Sequence, residues 1–235
     1  MKSSALAQRL QGGLIVSCQA LADEPLHGAE HMAAMARAAV SAGAVGIRAN
    51  GPDDIAAIRL AVTVPIIGLF KVDLPGFEVR ITPATEYAEQ VASAGADIIA
   101  VDATNRPRPG GLLAEALIEQ IHRLTGMPVL ADIATLGEGL AAAKAGADFV
   151  ATTLAGYTTT SPAQEGPDFL LLEALVDHLT PRGVPVIAEG RINTPEQAAR
   201  ALALGVYAVV VGSAITRPQW ITARFVEAIG KRGLQ

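Results

Sequence analysis

The sequence predicts an α/β fold, a (β/α)8 TIM barrel, and three observations predict it. Eight short apolar runs alternate with segments that have the spacing of amphipathic helices. Similar units recur at intervals of roughly 50 to 60 residues, which favours a closed repeat over an open sheet. The length of 235 residues suits one barrel, since barrels of this type run near ~250 residues. We therefore expect residues 1–235 to form a single domain.

Two kinds of start signal mark the eight expected strands. A glycine after a helical segment ends that helix in the left-handed conformation, and proline is tolerated as the first residue of a strand. In chain order the signals and runs are Gly13 with LIVSC, Gly43 with VGIR, Pro65 with IIGLFK, Gly95 with DIIAVD, Pro128 with VLAD, Gly146 with DFVATT, Pro185 with VIAEG and Gly205 with VYAVVVG.

Helix starts are predicted between these runs. Thr82-Pro83 and Thr194-Pro195 each combine a capping threonine with a proline at the first helical position, and Gln197 would complete a capping box at the second. The longest expected loop runs over residues 155–168, after the sixth strand. A loop of that length is often functional, so we expect it to cover the site.

Composition excludes several classes of protein. Hydrophobic residues make up 51% of the chain and aromatic residues 4%, which is typical of a buried parallel sheet rather than a β-sandwich. The net charge of -5 and the absence of a Lys/Arg run argue against a nucleic-acid partner. The longest apolar stretches are too short for a bilayer, and a lone cysteine, Cys18, indicates a reducing compartment. We expect a cytoplasmic protein with no membrane partner.

Polar residues stand where each apolar run ends. In TIM barrels the chemistry lies at the carboxyl ends of the strands. Burial of charge is costly unless the charge is paired or borders a polar cavity, so charged residues at several strand ends predict a site there. The residues are Gln19, Arg48, Lys71, Asp102, Asp132, Thr152 with Thr153, Glu189, and Gly212 with Ser213.

The last two strand–helix loops have the composition of a phosphate site. Glu189-Gly190-Arg191 precedes the helix start at Thr194, and Gly212-Ser213 precedes a short apolar turn and Arg217. Glycine lets the backbone approach an anion closely, helix N-termini offer unpaired N–H groups, and barrels commonly hold phosphate in loops seven and eight. Arg217 could add a bidentate contact. We predict a small phosphorylated ligand.

Other motifs do not support a cofactor. His27 to His31 matches the HxxEH pattern of one class of zinc peptidase, but Pro25 and Gly28 interrupt the helix that zinc binding would need. Nucleotide-binding glycine motifs are missing from the sequence. We expect neither a metal nor an organic cofactor, and we place Trp220 in the core or in an interface.

Six segments in order resemble the N-acetylmannosamine-6-phosphate 2-epimerase family, over nearly the whole chain. They are GGLIVSCQA, AVGIRANGPDDI, PIIGLFKVD, VLADIATL, VIAEGRINTPEQA and VVVGSAITRP. The resemblance implies a bacterial isomerase of sialic acid degradation that interconverts N-acetylmannosamine 6-phosphate and N-acetylglucosamine 6-phosphate. It also implies a homodimer, for which Trp220 and Phe225 on the last helix could form an interface.

The resemblance further implies roles for individual residues. Lys71 and Glu189 would be the catalytic pair that removes and returns a proton at C2 of the sugar. The remaining site residues would bind the substrate: Gln19, Arg48 and Asp132 the sugar and its acetamido group, and Gly190, Arg191, Gly212, Ser213 and Arg217 the loops around the phosphate.

Two alternatives stay open at this point. A lysine after the third strand could instead form a Schiff base, as in aldolase-like or thiazole-synthase-like barrels, and borohydride trapping would reveal it. The chain could also be a barrel that binds a sugar phosphate without catalysing a reaction. In that case no epimerisation would be measured.

Overall fold

The structure, a computed structural model, describes residues 2–230, with side chains from residue 5 onward. Eight parallel strands pair in chain order, and β8 pairs with β1 to close the barrel. The predicted (β/α)8 architecture is therefore confirmed for this range, and residues 1 and 231–235 of the expected domain lie outside it. The strands are β1 Leu14–Cys18, β2 Gly46–Asn50, β3 Ile66–Leu69, β4 Ile98–Asp102, β5 Val129–Asp132, β6 Phe149–Ala151, β7 Val186–Ala188 and β8 Ala208–Val211.

Ten α-helices accompany the strands in the described range. They are α1 Lys2–Leu10, α2 Ala29–Ser41, α3 Pro52–Ala61, α4 Thr85–Ser93, α5 Ala114–Thr125, α6 Leu136–Lys144, α7 Phe169–Leu179, α8 Pro195–Ala203, α9 Ser213–Thr216 and α10 Pro218–Gly230. Within residues 2–230 none of these helices combines the length and the apolar character needed to cross a membrane.

Alternation along each strand separates two apolar layers. In β3, Ile67 packs inside the barrel with residues of the other strands, whereas Ile66 packs in the outer layer between strands and helices. A strand reverses the direction of its side chains at each residue, so the inward set continues two residues at a time. In β3 that set runs from Ile67 through Leu69 to Lys71. The same spacing places Thr153 two residues beyond the inward Ala151 of β6, and Glu189 two residues beyond the inward Ile187 of β7, so both border the open end of the barrel.

The opposite end of the barrel is filled by an apolar side chain. Leu10, the last residue of α1, is fully buried and packs with the inward layer that includes Ile15 and Ile67. Gly46 in β2 makes room for it, because a Cβ there would lie 2.8 Å from Cδ2 of Leu10. The barrel is thus closed at one end and open only at the end where the polar residues lie.

One predicted helix start is wrong. Helix α4 begins at Thr85, and Thr82 has a positive φ of 46° and is fully buried. The Thr82 hydroxyl donates to the carbonyl of Ala100 at 2.7 Å and accepts from the N–H of Phe70 at 3.1 Å. Thr82 therefore joins the extension of β3 to β4. The sequence signal was misleading because threonine before proline serves both as a helix cap and as a turn residue.

The other predicted helix start is confirmed with one change. The Thr194 hydroxyl accepts from the N–H of Gln197, as a helix cap should. The Gln197 side chain accepts from the N–H of Asn193, one residue before the cap, instead of completing the box on Thr194 itself. A full capping box is present at α6, between Thr135 and Glu138.

Candidate active site

A cavity of about 700 Å³ opens at the carboxyl ends of the strands. Of the residues expected to convert or bind the substrate, all but one border it. These are Gln19, Arg48, Lys71, Glu189, Gly190, Arg191, Gly212, Ser213 and Arg217. The exception is Asp132, whose side chain is fully buried behind Arg48.

A buried ion-pair network forms one wall of the cavity. Arg48 is 1% exposed and binds both carboxylate oxygens of Asp132, at 2.9 and 2.5 Å. Its Nη1 also donates to Glu189 at 2.6 Å. Burial alone would lower the pKa of Arg48, but Asp132 and Glu189 raise it above its usual value. Arg48 therefore carries a permanent positive charge that fixes the Glu189 carboxylate at the cavity edge.

Lys71 borders the same cavity, two residues after the end of β3. Its N–H donates to the side chain of Asn50 at 2.8 Å, and its ammonium donates to the Gln19 carbonyl oxygen at 2.8 Å. The Gln19 amide in turn donates to the hydroxyl of Ser17 at 2.9 Å. Burial, helped by the positive charge of Arg48, lowers the pKa of Lys71 to about 8. This side chain can therefore gain and lose a proton near neutral pH.

Glu189 is held by its backbone and by its side chain. The hydroxyl of Thr152 donates to the Glu189 carbonyl at 2.9 Å and accepts from its N–H at 3.2 Å. Burial raises the pKa of Glu189 above its usual range; Arg48 opposes this shift, while the charge of Asp132 adds to it. The pKa of Glu189 is thus shifted upwards, towards neutral pH. The side chain is 14% exposed at the cavity wall.

The two glycine loops, residues 189–191 after β7 and residues 212–213 after β8, lie together on one side of the cavity. Gly190 has a φ of 106°, and a Cβ there would lie 3.3 Å from the carbonyl oxygen of Thr152. Arg217 follows the short helix α9 and forms a two-point ion pair with Glu24, with both contacts at 3.1 Å. Arg217 borders the cavity beside Ser213. The guanidinium of Arg217, held in place by Glu24, therefore lies next to glycine loops that can accommodate an anion.

Arg191 is directed differently from the other loop residues. Its guanidinium donates to the backbone carbonyls of Ala155 and Gly156 at 2.5 and 2.8 Å, and it lies 3.8 Å from the ring centre of Tyr157. These three residues begin the loop after β6, which also borders the cavity through Gln164 and Glu165. The loop after the sixth strand therefore lies at the site, and Arg191 binds it.

Comparison with known proteins gives the family. A family model described as "Putative N-acetylmannosamine-6-phosphate epimerase" matches residues 32–231. A protein of Caldanaerobacter subterraneus subsp. tengcongensis named "Putative N-acetylmannosamine-6-phosphate 2-epimerase" is 52% identical over 97% of this chain and 95% of its own length. The chain belongs to the N-acetylmannosamine-6-phosphate epimerase family. A relative from Thermosynechococcus vestitus with the same name is 52% identical over 95% of this chain and 96% of its own length.

Solved structures agree with this family. The N-acetylmannosamine-6-phosphate 2-epimerase from Clostridium perfringens superposes with a TM-score of 0.91 at 47% identity, covering 95% of this chain and 96% of that one. Thiamine phosphate pyrophosphorylase from Pyrococcus furiosus superposes with a TM-score of 0.60 at 18% identity, so it shares the fold. As a member of the epimerase family the chain is an isomerase.

Several residues at the epimerase-family site were not singled out from the sequence. Ser17 orients Gln19, Asn50 fixes the backbone of Lys71, and Glu24 pairs with Arg217. Ser17 could have been found, because it is a polar residue inside an apolar strand and shares the inward face with Gln19. Glu24 lies in a loop, where no periodic pattern indicates which distant side chain it meets. Trp220, which we expected in the core or an interface, borders the cavity.

Proposed function

We propose that this isomerase interconverts N-acetylmannosamine 6-phosphate and N-acetylglucosamine 6-phosphate by removing and returning the proton at C2. The observation that carries the proposal is the placement of Lys71 and Glu189 on one cavity, beside two glycine loops suited to phosphate. Relatives of about the same length and 52% identity bear the name of this activity.

Inversion at C2 needs a proton to leave one face of the carbon and another to arrive on the opposite face. The open-chain sugar makes this possible, because the electron pair left when the C2 proton departs is delocalised onto the C1 carbonyl oxygen as an enolate. Lys71 and Glu189 are the two groups on the cavity whose proton affinities are shifted towards neutral pH. We assign them as partners that serve opposite faces of C2.

The enolate oxygen needs positive charge nearby. We assign this task to Arg48, whose two terminal nitrogens donate to Asp132 and Glu189. Arg48 can therefore act through its charge across the cavity wall, and Asp132 acts by fixing Arg48. Within a site of low dielectric constant such a fixed charge stabilises an anionic transition state without reorganisation.

Phosphate binding should depend on Arg217. We expect Arg217→Met to raise KM for N-acetylmannosamine 6-phosphate about 10- to 100-fold, because a hydrogen-bonded ion pair of this kind contributes about 1.5–3 kcal/mol. Steady-state kinetics and inhibition by inorganic phosphate measure the effect. Arg123→Met, on the exposed end of α5, is the matched control. An unchanged KM for Arg217→Met would remove Arg217 from the phosphate site.

The pH dependence of the reaction follows from the same pair. One proton must be shared between Lys71 and Glu189, so activity should fall when both groups are protonated and when both are deprotonated. The pKa of Lys71, lowered to about 8, sets the upper limit. We expect kcat/KM to decline above pH 8, measured over pH 5 to 10. A constant kcat/KM between pH 7 and 10 would contradict this assignment.

Proton NMR in D₂O tests the proposed function. The wild-type protein is mixed with N-acetylmannosamine 6-phosphate, and the signals of both epimers are followed. We expect N-acetylglucosamine 6-phosphate to appear with deuterium at C2. Formation of the product with its original proton would exclude proton exchange, and no product at all would leave the non-catalytic sugar-phosphate barrel as the better reading.

We also propose a homodimer that works in the cytoplasm. Helix α10 carries Phe225, Val226 and Ile229 at 67%, 64% and 71% exposure. Apolar groups of this size on one helix favour an interface over contact with water. Sedimentation of the intact chain tests the dimer. The single, buried Cys18 supports a reducing compartment.

A further inference from the structure

Arg191 makes contacts that a residue serving only to bind phosphate would not need. Both terminal nitrogens donate to backbone carbonyls of the loop after β6, and the flat face of the guanidinium covers Tyr157. Backbone carbonyls and an aromatic face are partners that suit the planar arginine head group and not a lysine ammonium. The hydrogen bonds and the stacking face of the guanidinium are therefore used by the loop after β6. We define this loop as residues 155–168.

The backbone on both sides of this contact has a special conformation. Arg191 has a φ of 54°, a left-handed conformation that residues with a side chain rarely adopt. Gly156, across the contact, has a φ of 74°, and a Cβ there would lie 2.8 Å from Nη1 of Arg191. Strained residues of this kind persist where surrounding contacts hold them, often at ligand clamps. The close approach of the two loops is thus a defined feature of the fold.

Arg191 also connects two parts of the site. It directly follows Gly190, in the loop proposed to bind the phosphate, and residues 155–168 border the same cavity through Tyr157, Gln164 and Glu165. The far end of that loop is fixed independently, because Asp168 caps α7 and accepts a hydrogen bond from Gln164 at 2.7 Å. Arg191 is therefore the side chain that joins the start of the loop to the phosphate side of the cavity.

We propose that Arg191 is a positioning residue that clamps the loop of residues 155–168 over the cavity, so that phosphate bound at Gly190 holds the loop closed on the sugar. The proposal rests on the proposed function for the identity of the ligand. It assigns Arg191 to the loop, and it leaves direct contact with the phosphate to Arg217 and the glycine loops.

The loop offers a direct readout, since a protease specific for glutamate can cut after Glu165. We expect inorganic phosphate to slow that cut in the wild-type protein. In Arg191→Met we expect the cut to be at least tenfold faster and to gain no protection from phosphate, because the clamp is lost. Proteolysis of a segment that opens locally reports how often it opens. Mass spectrometry of the fragment ending at Glu165 measures the rate.

Steady-state kinetics distinguish a role of Arg191 in holding the loop from a role in binding phosphate directly. For Arg191→Met we expect kcat/KM to fall about tenfold. Inhibition by inorganic phosphate should weaken only by the factor by which phosphate slows the cut in the wild-type protein, because phosphate binding and loop closure are linked reciprocally. Arg217→Met should weaken phosphate inhibition at least tenfold. Arg191→Lys should behave like Arg191→Met, because an ammonium lacks the planar fork that spans the two carbonyls and stacks on the aromatic ring.

Arg200→Met is the matched control for loss of an arginine–aromatic stack. Arg200 lies 3.9 Å from the ring centre of Phe169, just after the other end of the loop. Its removal should change neither the cut after Glu165 nor phosphate inhibition. Thermal unfolding of each variant verifies that it is folded, and Gly156→Ala, which blocks the approach of Arg191, provides a second test from the other side of the contact.

The proposal is overturned if Arg191→Met weakens phosphate inhibition and leaves the cut after Glu165 unchanged, because Arg191 would then be a phosphate ligand. It is also overturned if phosphate slows the cut after Glu165 equally in the wild-type protein and in Arg191→Met. Failure of the proposed function is distinguishable, since it appears in the wild-type protein as a lack of epimerisation, whatever the loop does.

Discussion

Lys71→Met is expected to lower kcat about 10²- to 10⁴-fold, which is the contribution of a positioned acid or base. Methionine has a similar length but cannot carry a proton, so one face of C2 loses its partner. Arg48, Lys71, Asp132 and Glu189 form a cluster with no net charge when all four are ionised. Removal of the ammonium leaves this cluster negative, which should raise the pKa of Glu189 further.

The fold should tolerate the Lys71 substitution. Burial of a lysine is costly, as its lowered pKa indicates, so a buried methionine should leave the thermal midpoint equal or higher. Lys144→Met, at the exposed end of α6, is the matched control and should keep full activity. Borohydride treatment of wild-type protein with substrate should leave Lys71 unmodified. Reduction of the sugar onto Lys71 would identify the Schiff-base barrel instead.

Glu189→Gln is expected to lower kcat by a similar factor of about 10²- to 10⁴-fold. Glutamine keeps the shape of the side chain and can still accept a hydrogen bond from Arg48, so the cavity wall should stay in place. The amide cannot take a proton from carbon. Because Glu189 raises the pKa of Lys71, its removal should also move the upper pH limit of any residual activity below 8.

A glutamate outside the cavity provides the comparison for Glu189. Glu173 lies on the exposed face of α7, and Glu173→Gln should keep the wild-type rate and pH profile. Thermal unfolding should distinguish loss of chemistry from loss of structure. If Glu189→Gln kept more than about a tenth of the wild-type kcat, Glu189 would not be an acid or base of this reaction.

The fold was predictable because its causes are local and periodic. The strand in IIGLFK ends at Leu69, one residue before its apolar run ends, and Lys71 keeps the inward direction that Ile67 and Leu69 establish. A period of two fixes which face of a strand a residue occupies, and the parallel barrel brings every strand end to one mouth. The positions of Lys71 and Glu189 on one cavity could therefore be derived without any tertiary contact.

Pairings between loops could not be derived in this way. Arg191 and Arg217 both lie in the last two strand–helix loops and both border the cavity, yet Arg217 pairs with Glu24 and Arg191 binds the backbone at Gly156. Loops have no repeating geometry that fixes their mutual approach. Thr82 shows the same difficulty, because its turn conformation is set by hydrogen bonds with Phe70 and Ala100. Such contacts become visible only with the full fold.

Exchange of the C2 proton in the two variants tests the assignment of Lys71 and Glu189 most directly. Lys71→Met and Glu189→Gln are each incubated with each epimer in D₂O, and the C2–H signal is followed by proton NMR. If the two groups serve opposite faces, each variant should exchange the C2 proton of one epimer only, and the two variants should differ in which one. Exchange of the same epimer by both variants would contradict the account.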